Sequence, residues 1–372
     1  MRPQSLIFTS LPIPFRTAFA HASASRTQAE NVIVCVLDAD GRVGLGEGCP
    51  RQYVTGETLG SAAAFLSRHR GSLSAITDLD ALRGWIEAHG PEIDANPSAF
   101  CAAELALLDL FAHQAGQSVE GLLGIGKGKE LRVSAIYGAS AFLKFEAQAL
   151  LFQANGLHDA KLKLTGRVGQ DRRRVGRLAG LGDVRLDANN LWPSAAEAIP
   201  ALCVIGNNAW AVEEPIRARD WAGLDEVRQA TGLAIIADES LITLADLETM
   251  PEGDEFVPNL RVSKLGGLLR SLNMVERASE QGRRMIVGAQ VGETSILARA
   301  GAALAAATGD ALTGFEGAYG PRLLSEDAVA PSLGFAAGGV VDLGAFEGRA
   351  GWGLAPAPVL ADALKRACVP AA

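Results

Sequence analysis

Residues 158–166, HDAKLKLTG, form a short apolar stretch that carries two lysines separated by a single leucine. Because side chains along a strand alternate between its faces, Lys161 and Lys163 share one face, and Leu162 and Leu164 share the other. Lysines at this spacing are common on exposed strands at the edge of a sheet. In a parallel barrel, which has no such edge, the same two ammonium groups would face an interior site.

This stretch is the second of eight short β-rich runs that alternate with helical patterns from residue 131 onward. The runs are LRVSAIYG, AKLKL, VRLDA, AWAVEE, LAIIADE, NLRVS, RMIVGA and LTGFEG. Polar residues end five of them, at successive steps of 24, 26, 25 and 23 residues: Lys163, Asp187, Glu213, Asp238 and Arg261. Each step fits one strand–helix unit, and eight such units can close into a barrel of about 200 to 250 residues. The carboxyl ends of these strands are therefore the predicted position of the active site.

The remainder of the 372-residue chain predicts an accessory domain, since one ordinary core seldom grows to this size. Two strand-like runs, NVIVCVLDADGRVGLGEG at residues 31–48, precede a helical pattern, FCAAELALLDLFAHQAG. We predict an N-terminal α+β domain at residues 1–128, a barrel at residues 129–325 and a C-terminal segment at residues 326–372 that returns to the first domain.

Composition argues against several classes of partner. The 34 basic and 42 acidic residues give a net charge of −8, with no basic run that could follow a phosphate backbone, so we expect no nucleic-acid partner. The sequence shows no export signal and no membrane-spanning run. Five scattered cysteines without a C-x-x-C pair fit a reducing compartment, so we expect a cytoplasmic protein. A homo-oligomer is expected because closed symmetric assemblies are common.

Three carboxylates, Asp187, Glu213 and Asp238, end successive strands and should converge at one end of the barrel. Two carboxylates 4 Å apart repel by about 1 kcal/mol in water and by about 4 kcal/mol at an effective dielectric constant of 20. A divalent cation removes this repulsion, and a set of oxygen ligands favours Mg²⁺, with Mn²⁺ as the alternative. The simpler interpretation is that each acid separately caps a helix or lies in a loop.

The Lys-x-Lys pair, the ordered carboxylates and SKLGG at residues 263–267 together resemble the enolase superfamily, and more narrowly its muconate lactonizing enzyme subgroup. That subgroup also contains dipeptide epimerases and o-succinylbenzoate synthases. The segments PFRTAFAHAS (14–23) and GLGEGCPRQYVTGET (44–58) resemble its substrate-covering loops, and GRAGWGLAP (348–356) resembles its returning C-terminal segment. The resemblance implies an α/β protein with a modified TIM barrel, (β/α)7β, and an α+β capping domain.

The resemblance also implies a chemistry, the removal of a proton α to a carboxylate from a small-molecule acid. The three carboxylates would hold Mg²⁺, which stabilises the developing enediolate, and Lys163 would be the acid/base. Lys161 would support Lys163 electrostatically, and Asn189 would contact the substrate.

Arg261 departs from the subgroup pattern, in which a second lysine ends the sixth strand. A guanidinium stays protonated, so Arg261 can bind an anion but is a poor base. Strand alternation places Arg261 and Ser263 on one face and Lys264 on the other, although a loop would break this parity. We therefore expect Arg261 to face the substrate, with Lys264 as the alternative.

The eighth strand is a second departure. Dipeptide epimerases carry an Asp-x-Asp element there that holds the substrate amino group, whereas this chain reads FEGAYG, so Glu316 and Tyr319 are the predicted substrate contacts. Glu239 and Glu293 are predicted to support the metal ligands by hydrogen bonds. Glu293 could equally be an acid at the start of a helix.

The leading functional hypothesis is a muconate cycloisomerase-like lyase or cycloisomerase with one lysine base. The first alternative is a two-base racemase or epimerase acting on a dipeptide or an N-acylamino acid. The second alternative is a barrel that binds a carboxylate without turnover, because fold alone does not establish catalysis.

Overall fold

The structure is a computed structural model that describes residues 5–21, 24–180 and 182–368. The first part of the chain forms an antiparallel sheet in the order β1-β2-β3, followed by a group of helices. The strands are β1 (Ser5–His21), β2 (Ala24–Leu37) and β3 (Val43–Gly48). The helices are α1 (Gln52–Thr55), α2 (Leu59–Ser74), α3 (Leu79–Ala88), α4 (Gly90–Ala95), α5 (Pro97–Ala115) and α6 (Val119–Leu123).

The second part is a parallel sheet of eight strands in sequence order, with a helix between each pair of neighbours. The strands are β4 (Ala135–Tyr137), β5 (Ala160–Lys163), β6 (Val184–Asp187), β7 (Ala211–Glu213), β8 (Ala234–Ala237), β9 (Phe256–Leu260), β10 (Met285–Val287) and β11 (Leu312–Phe315). The helices are α7 (Phe142–Ala154), α8 (Val168–Leu178), α9 (Ala195–Ile205), α10 (Trp221–Thr231), α11 (Leu244–Thr249), α12 (Leu268–Glu280) and α13 (Ser295–Thr308). The predicted (β/α)7β order is therefore confirmed.

The two ends of the sheet meet, because the amide of Ser134, just before β4, donates to the carbonyl oxygen of Phe315 in β11 at 2.7 Å. The lower interior of the barrel is a small apolar cluster that includes Ala211, Ile236 and Ile286. Charged side chains fill the interior above it, so the carboxyl ends of the strands carry the polar chemistry.

The remaining chain returns to the capping sheet. It forms α14 (Gly320–Leu323), the strand pair β12 (Val329–Ala330) and β13 (Ala355–Pro356), and α15 (Pro358–Cys368). Leu360 and Ala363 of α15 are buried in one cluster with Leu11 and Ile33 of the capping sheet. The predicted return of the C-terminal segment is thus seen in the packing, while the exact domain boundaries stay a prediction.

The alternating glycines of β3 explain how the long helix α5 packs on the sheet. A Cβ atom at Gly46 would lie 2.0 Å from the carbonyl oxygen of Ala102, and one at Gly44 would lie 2.1 Å from that of Ala106. Only glycine permits so close an approach of strand and helix backbones. The sequence GLGEG is therefore a packing element.

Buried carboxylates of the capping domain hold the first turns of barrel helices. Glu104 of α5 accepts hydrogen bonds from the amides of Leu268 (2.6 Å) and Leu269 (2.8 Å) at the start of α12. Glu47 of β3 accepts from the amide of Thr294 (3.0 Å) and that of Leu297 (3.1 Å) at the start of α13. Free amides at a helix N-terminus favour negative charge, so these contacts fix the cap over the barrel mouth.

We expect Glu104→Ala to lower the free energy of unfolding by about 2–3 kcal/mol, because two buried amides lose their acceptor. Urea denaturation measures this change. Glu87→Ala, on the exposed surface of α3, is the matched control and should change stability by less than about 0.5 kcal/mol. Equal losses in the two variants would contradict the role of Glu104.

Part of one predicted covering loop, residues 22 and 23 of segment 14–23, lies outside the described residues. Among the helices that the structure describes, none combines the length and the apolar character needed to cross a bilayer.

Candidate active site

Lys163 ends β5 and lies at the mouth of the barrel. Its ammonium donates to Asp187 Oδ2 at 2.7 Å and to Asn189 Oδ1 at 2.8 Å, and its side chain is 18% exposed. Asn189 has a φ of 46°, and its backbone N–H donates to Asp187 Oδ1 at 3.1 Å. The turn after β6 therefore orients Lys163 through Asp187 and Asn189, and the predicted substrate contact of Asn189 stays a prediction.

Lys161 lies below Lys163 on the same face, as the alternation predicted, whereas Leu162 is fully buried in the main core. Lys161 Nζ lies 2.8 Å from Glu213 Oε1, 2.7 Å from Glu213 Oε2 and 3.3 Å from Asp187 Oδ2. Burial lowers the pKa of Lys161, but Glu213, Glu316 and Asp187 outweigh it and raise the pKa above its ordinary value. Lys161 is thus a fixed positive charge.

The three predicted metal ligands come together at the ends of β6, β7 and β8. Asp187 pairs with Glu213 in the register of the sheet, and Asp238 follows β8 directly. All three are at most 1% exposed. Burial and the nearby charges of Asp187, Glu316 and Asp238 raise the pKa of Glu213 well above its ordinary value, despite the contact with Lys161. Among the three predicted ligands, Glu213 is therefore the one at which a further positive charge would relieve the most repulsion.

Asp238 contacts both basic residues that follow β9, Arg261 and Lys264. Arg261 Nη2 contacts Asp238 Oδ2, and Lys264 Nζ donates to Asp238 Oδ1 at 2.9 Å and to the Asp238 carbonyl oxygen at 2.7 Å. Burial acts to raise the pKa of Asp238, but Arg261 and Lys264 prevail and lower it to about 2.

The predicted separation of Arg261 and Lys264 onto opposite faces is wrong. The strand ends at Leu260, and residues 262–266 form a turn, so strand alternation does not apply to them. The Lys264 side chain is fully buried below Asp238, whereas that of Arg261 is 11% exposed. Of the two, Arg261 is the one that reaches the mouth.

Glu293 and Glu239 lie beside this ligand set. Glu293 accepts from the amide of Gln290 at 2.5 Å, and Gln290 Oε1 lies 3.3 Å from Arg261 Nη1, so Glu293 supports Arg261 through Gln290. Glu239 Oε2 is buried and has no hydrogen-bond partner within the described part of the chain. Burial, followed by the charges of Asp238 and Glu214, raises the pKa of Glu239 to about 8.

Glu214 is a structural residue that the sequence analysis missed. It has a φ of 42° and accepts from the amides of Asp238 (2.8 Å) and Ser240 (2.7 Å) and from the Ser240 hydroxyl (2.8 Å). It therefore fixes the backbone that presents Asp238. Its position next to Glu213 in VEEP was the available signal.

The polar groups of Glu316 and Tyr319, which were predicted to contact the substrate, are hydrogen-bonded to other residues of the protein. Glu316 Oε2 accepts from Lys161 at 3.2 Å and Glu316 Oε1 from Arg185 Nη2 at 3.0 Å, and its side chain is 5% exposed. The Tyr319 hydroxyl donates to the carbonyl oxygen of Ser134 at 2.6 Å. Both groups are used within the protein. Arg185 was also missed, although it lies two residues before Asp187 on the same strand face.

The donor set fits a hard divalent cation, since three buried carboxylates from adjacent strands supply only oxygen atoms. As the side chains stand, no group of three or more acidic, histidine or cysteine residues within the described ranges is arranged to hold an ion. The contacts show the reason: each of these carboxylates is paired with at least one of the basic side chains Lys161, Lys163, Arg261 and Lys264. A metal would have to replace some of these ion pairs.

Comparisons with family models, with known sequences and with solved structures find similarities to the same group of proteins. Residues 144–358 match the family described as Enolase C-terminal domain-like. The chain is 30% identical to the aromatic dipeptide epimerase of Herpetosiphon aurantiacus over 79% of this chain and 83% of that protein. It is 24% identical to the N-succinyl-L-Arg/Lys racemase of Bacillus cereus over 81% of this chain and 83% of that protein. The structure of the Methylococcus capsulatus dipeptide epimerase with Mg and the dipeptide L-Arg-D-Lys superposes with a TM-score of 0.80, 26% identity, and coverage of 95% of this chain and 99% of that chain.

Proposed function

Because the chain belongs to the enolase superfamily, among relatives of the mandelate racemase and muconate lactonizing enzyme group, we propose that it is a Mg²⁺-dependent epimerase or racemase. Its substrate is a small carboxylate whose α-carbon bears an acylated nitrogen, as in a dipeptide or an N-acylamino acid. The observation that carries this proposal is Lys163, a partly exposed lysine held 2.7 Å from Asp187 at the carboxyl end of β5.

The roles of the residues follow from their contacts. Asp187, Glu213 and Asp238 would hold Mg²⁺, which when bound offsets the negative charge that develops on the substrate carboxylate. Lys163 takes the α-proton at Nζ, and Asn189 holds that nitrogen in place. Lys161 and Arg261 supply fixed positive charge beside the ligand set, and Glu214 holds the Asp238 backbone.

The relatives favour this epimerase hypothesis over the muconate cycloisomerase-like reaction that the sequence first suggested. The two curated relatives described above are an epimerase and a racemase, and the structural neighbour contains Mg. These similarities support Mg²⁺ as the cofactor and give no support to the Mn²⁺ alternative.

A one-base lyase or cycloisomerase is the second candidate, and Arg261 is the observation that favours it. Lys163 ends β5 and Arg261 follows β9, four strands further in a sheet of eight, so the two lie half a turn apart around the barrel. Inversion needs a proton on the face opposite Lys163, and a guanidinium transfers protons poorly. A reaction that needs one base only would avoid this difficulty.

Incubation with candidate carboxylates and Mg²⁺ in D₂O, followed by ¹H NMR and chiral analysis, tests the proposal. We expect loss of the α-proton signal with formation of the opposite configuration for a dipeptide or an N-acylamino acid, and loss of this activity when EDTA removes the metal. Exchange without inversion, or an elimination product, would favour the one-base reaction. Binding of these acids without any exchange would replace both candidates with the binding-only barrel.

A further inference from the structure

The barrel interior contains a layer of charges that the proposed chemistry does not use. From β4 round to β6, Ser134, Asp159 and Arg185 are linked by hydrogen bonds, and Arg185 continues the chain to Glu316 at the end of β11. Glu316 in turn contacts Lys161. Ser134 and Asp159 lie at the amino ends of β4 and β5, whereas Glu316 lies next to the candidate metal ligands, because Lys161 contacts both Glu316 and Glu213.

The position of Arg185 in this layer is fixed by hydrogen bonds and by the space that a neighbouring glycine leaves. Arg185 Nη1 lies 2.6 Å from Asp159 Oδ1, and Arg185 Nη2 lies 2.7 Å from Ser134 Oγ. A Cβ atom at Gly314 would lie only 3.2–3.3 Å from the Arg185 guanidinium, so glycine on β11 leaves the room that this group fills. The fully buried Arg185 therefore fixes the position of the Glu316 carboxylate.

Lys161 is shared between two kinds of carboxylate. On one side lies Glu213, a candidate metal ligand, and on the other lies Glu316, which is not one. A cation that binds Glu213 repels the Lys161 ammonium, which must keep a counter-charge because it is 3% exposed. Glu316 Oε2 is already 3.2 Å from Lys161 Nζ, so it can take over this ammonium without a rearrangement of the backbone.

We infer that Glu316 is a positioning residue for the metal site: it receives Lys161 when the divalent cation occupies Glu213, and it thereby sets the affinity for Mg²⁺. Arg185 holds Glu316 in place for this exchange. The inference rests on the metal site of the proposed function and assigns to the eighth strand a role in metal binding that differs from substrate recognition.

Isothermal titration of the whole protein with MgCl₂ tests the inference without an activity measurement. Glu316→Gln keeps the volume and an acceptor oxygen but removes the charge that Lys161 would need. We expect it to raise the Mg²⁺ dissociation constant by about tenfold or more. Glu87→Gln on the exposed surface of α3 is the matched control, because it makes the same carboxylate-to-amide change at a position without a contact to Lys161, Arg185 or Glu316. We expect a change within about twofold for this control.

A double-mutant cycle separates this role from general support of the barrel. Lys161→Met removes the competing ammonium and is expected to tighten Mg²⁺ binding, and in that background Glu316→Gln should have less than about a twofold effect. An equal effect of Glu316→Gln with and without Lys161 would overturn the inference, as would equal dissociation constants for the wild type and Glu316→Gln. If the wild type binds no Mg²⁺, the proposed function fails, and the inference fails with it. Thermal unfolding of each variant shows whether it is folded. If Glu316→Gln is not folded, Glu316→Asp replaces it and is expected to weaken Mg²⁺ binding relative to the wild type, because the shorter side chain holds its charge farther from Lys161.

Discussion

Replacing Lys163 with methionine is expected to slow α-proton exchange by about 10³-fold, because the group proposed to take the proton is removed while the apolar stem is kept. The metal site should survive. Asp187 loses one of its two lysine partners but keeps Lys161, and a lost positive charge favours a divalent cation at that carboxylate. The variant should therefore bind Mg²⁺ at least as tightly as the wild type while it fails to exchange the proton. NMR in D₂O and titration with MgCl₂ measure the two properties separately.

Lys144→Met is the control for the loss of one lysine. Lys144 is exposed on α7, so its replacement should leave exchange unchanged within experimental error. Exchange by Lys163→Met at the wild-type rate would show that another group takes the proton. A parallel loss of Mg²⁺ binding and of exchange would show that Lys163 acts on the metal site instead of on the substrate.

The barrel was predictable because its signal is local and repeated. Each β-rich run is short, each is followed by a helical pattern, and a polar residue recurs at nearly constant steps from Lys163 to Arg261. Seven of the eight runs coincide with the observed strands. The exception is NLRVS, where the strand occupies Phe256–Leu260 and ends before Arg261. That shift of a few residues was sufficient to invalidate the argument about the face on which Lys264 lies.

The partners of the site residues were less predictable than their positions. Alternation within β5 places Lys161 and Lys163 on one face, and the same rule applied to β6 would have found Arg185 beside Asp187. No local rule shows that Glu316 is engaged by Lys161, 155 residues away, and by Arg185, 131 residues away. These pairs depend on how the barrel closes, which a strand pattern does not specify. The sequence therefore suggested Glu316 as a substrate contact, whereas the fold uses its carboxylate internally.

Arg261 raises the main mechanistic question, because a guanidinium keeps its proton and, in the proposed epimerisation, Arg261 stands where a second proton carrier is needed. Burial lowers the pKa of Arg261, but the carboxylates of Asp238, Glu213 and Glu239 outweigh it and raise the pKa above its ordinary value. Its Nη2 is bound to Asp238, so the guanidinium is held at the mouth. We expect the wild type to exchange the α-proton faster than it inverts the configuration, because Lys163 serves one face efficiently and Arg261 serves the other poorly.

Arg261→Lys is therefore expected to raise the ratio of inversion to exchange by about 10²-fold, because an amine that gains and loses a proton replaces the guanidinium. Arg261→Met, which removes the charge and the proton carrier together, is the matched control and should not raise this ratio. Chiral chromatography of the product, with ¹H NMR of the same sample in D₂O, gives both quantities. A ratio that stays constant in Arg261→Lys would mean that residue 261 does not face the α-carbon. If the wild type inverts as fast as it exchanges, another group delivers the second proton, and Glu239, whose Oε2 lacks a hydrogen-bond partner among the described residues, would be the next residue to replace.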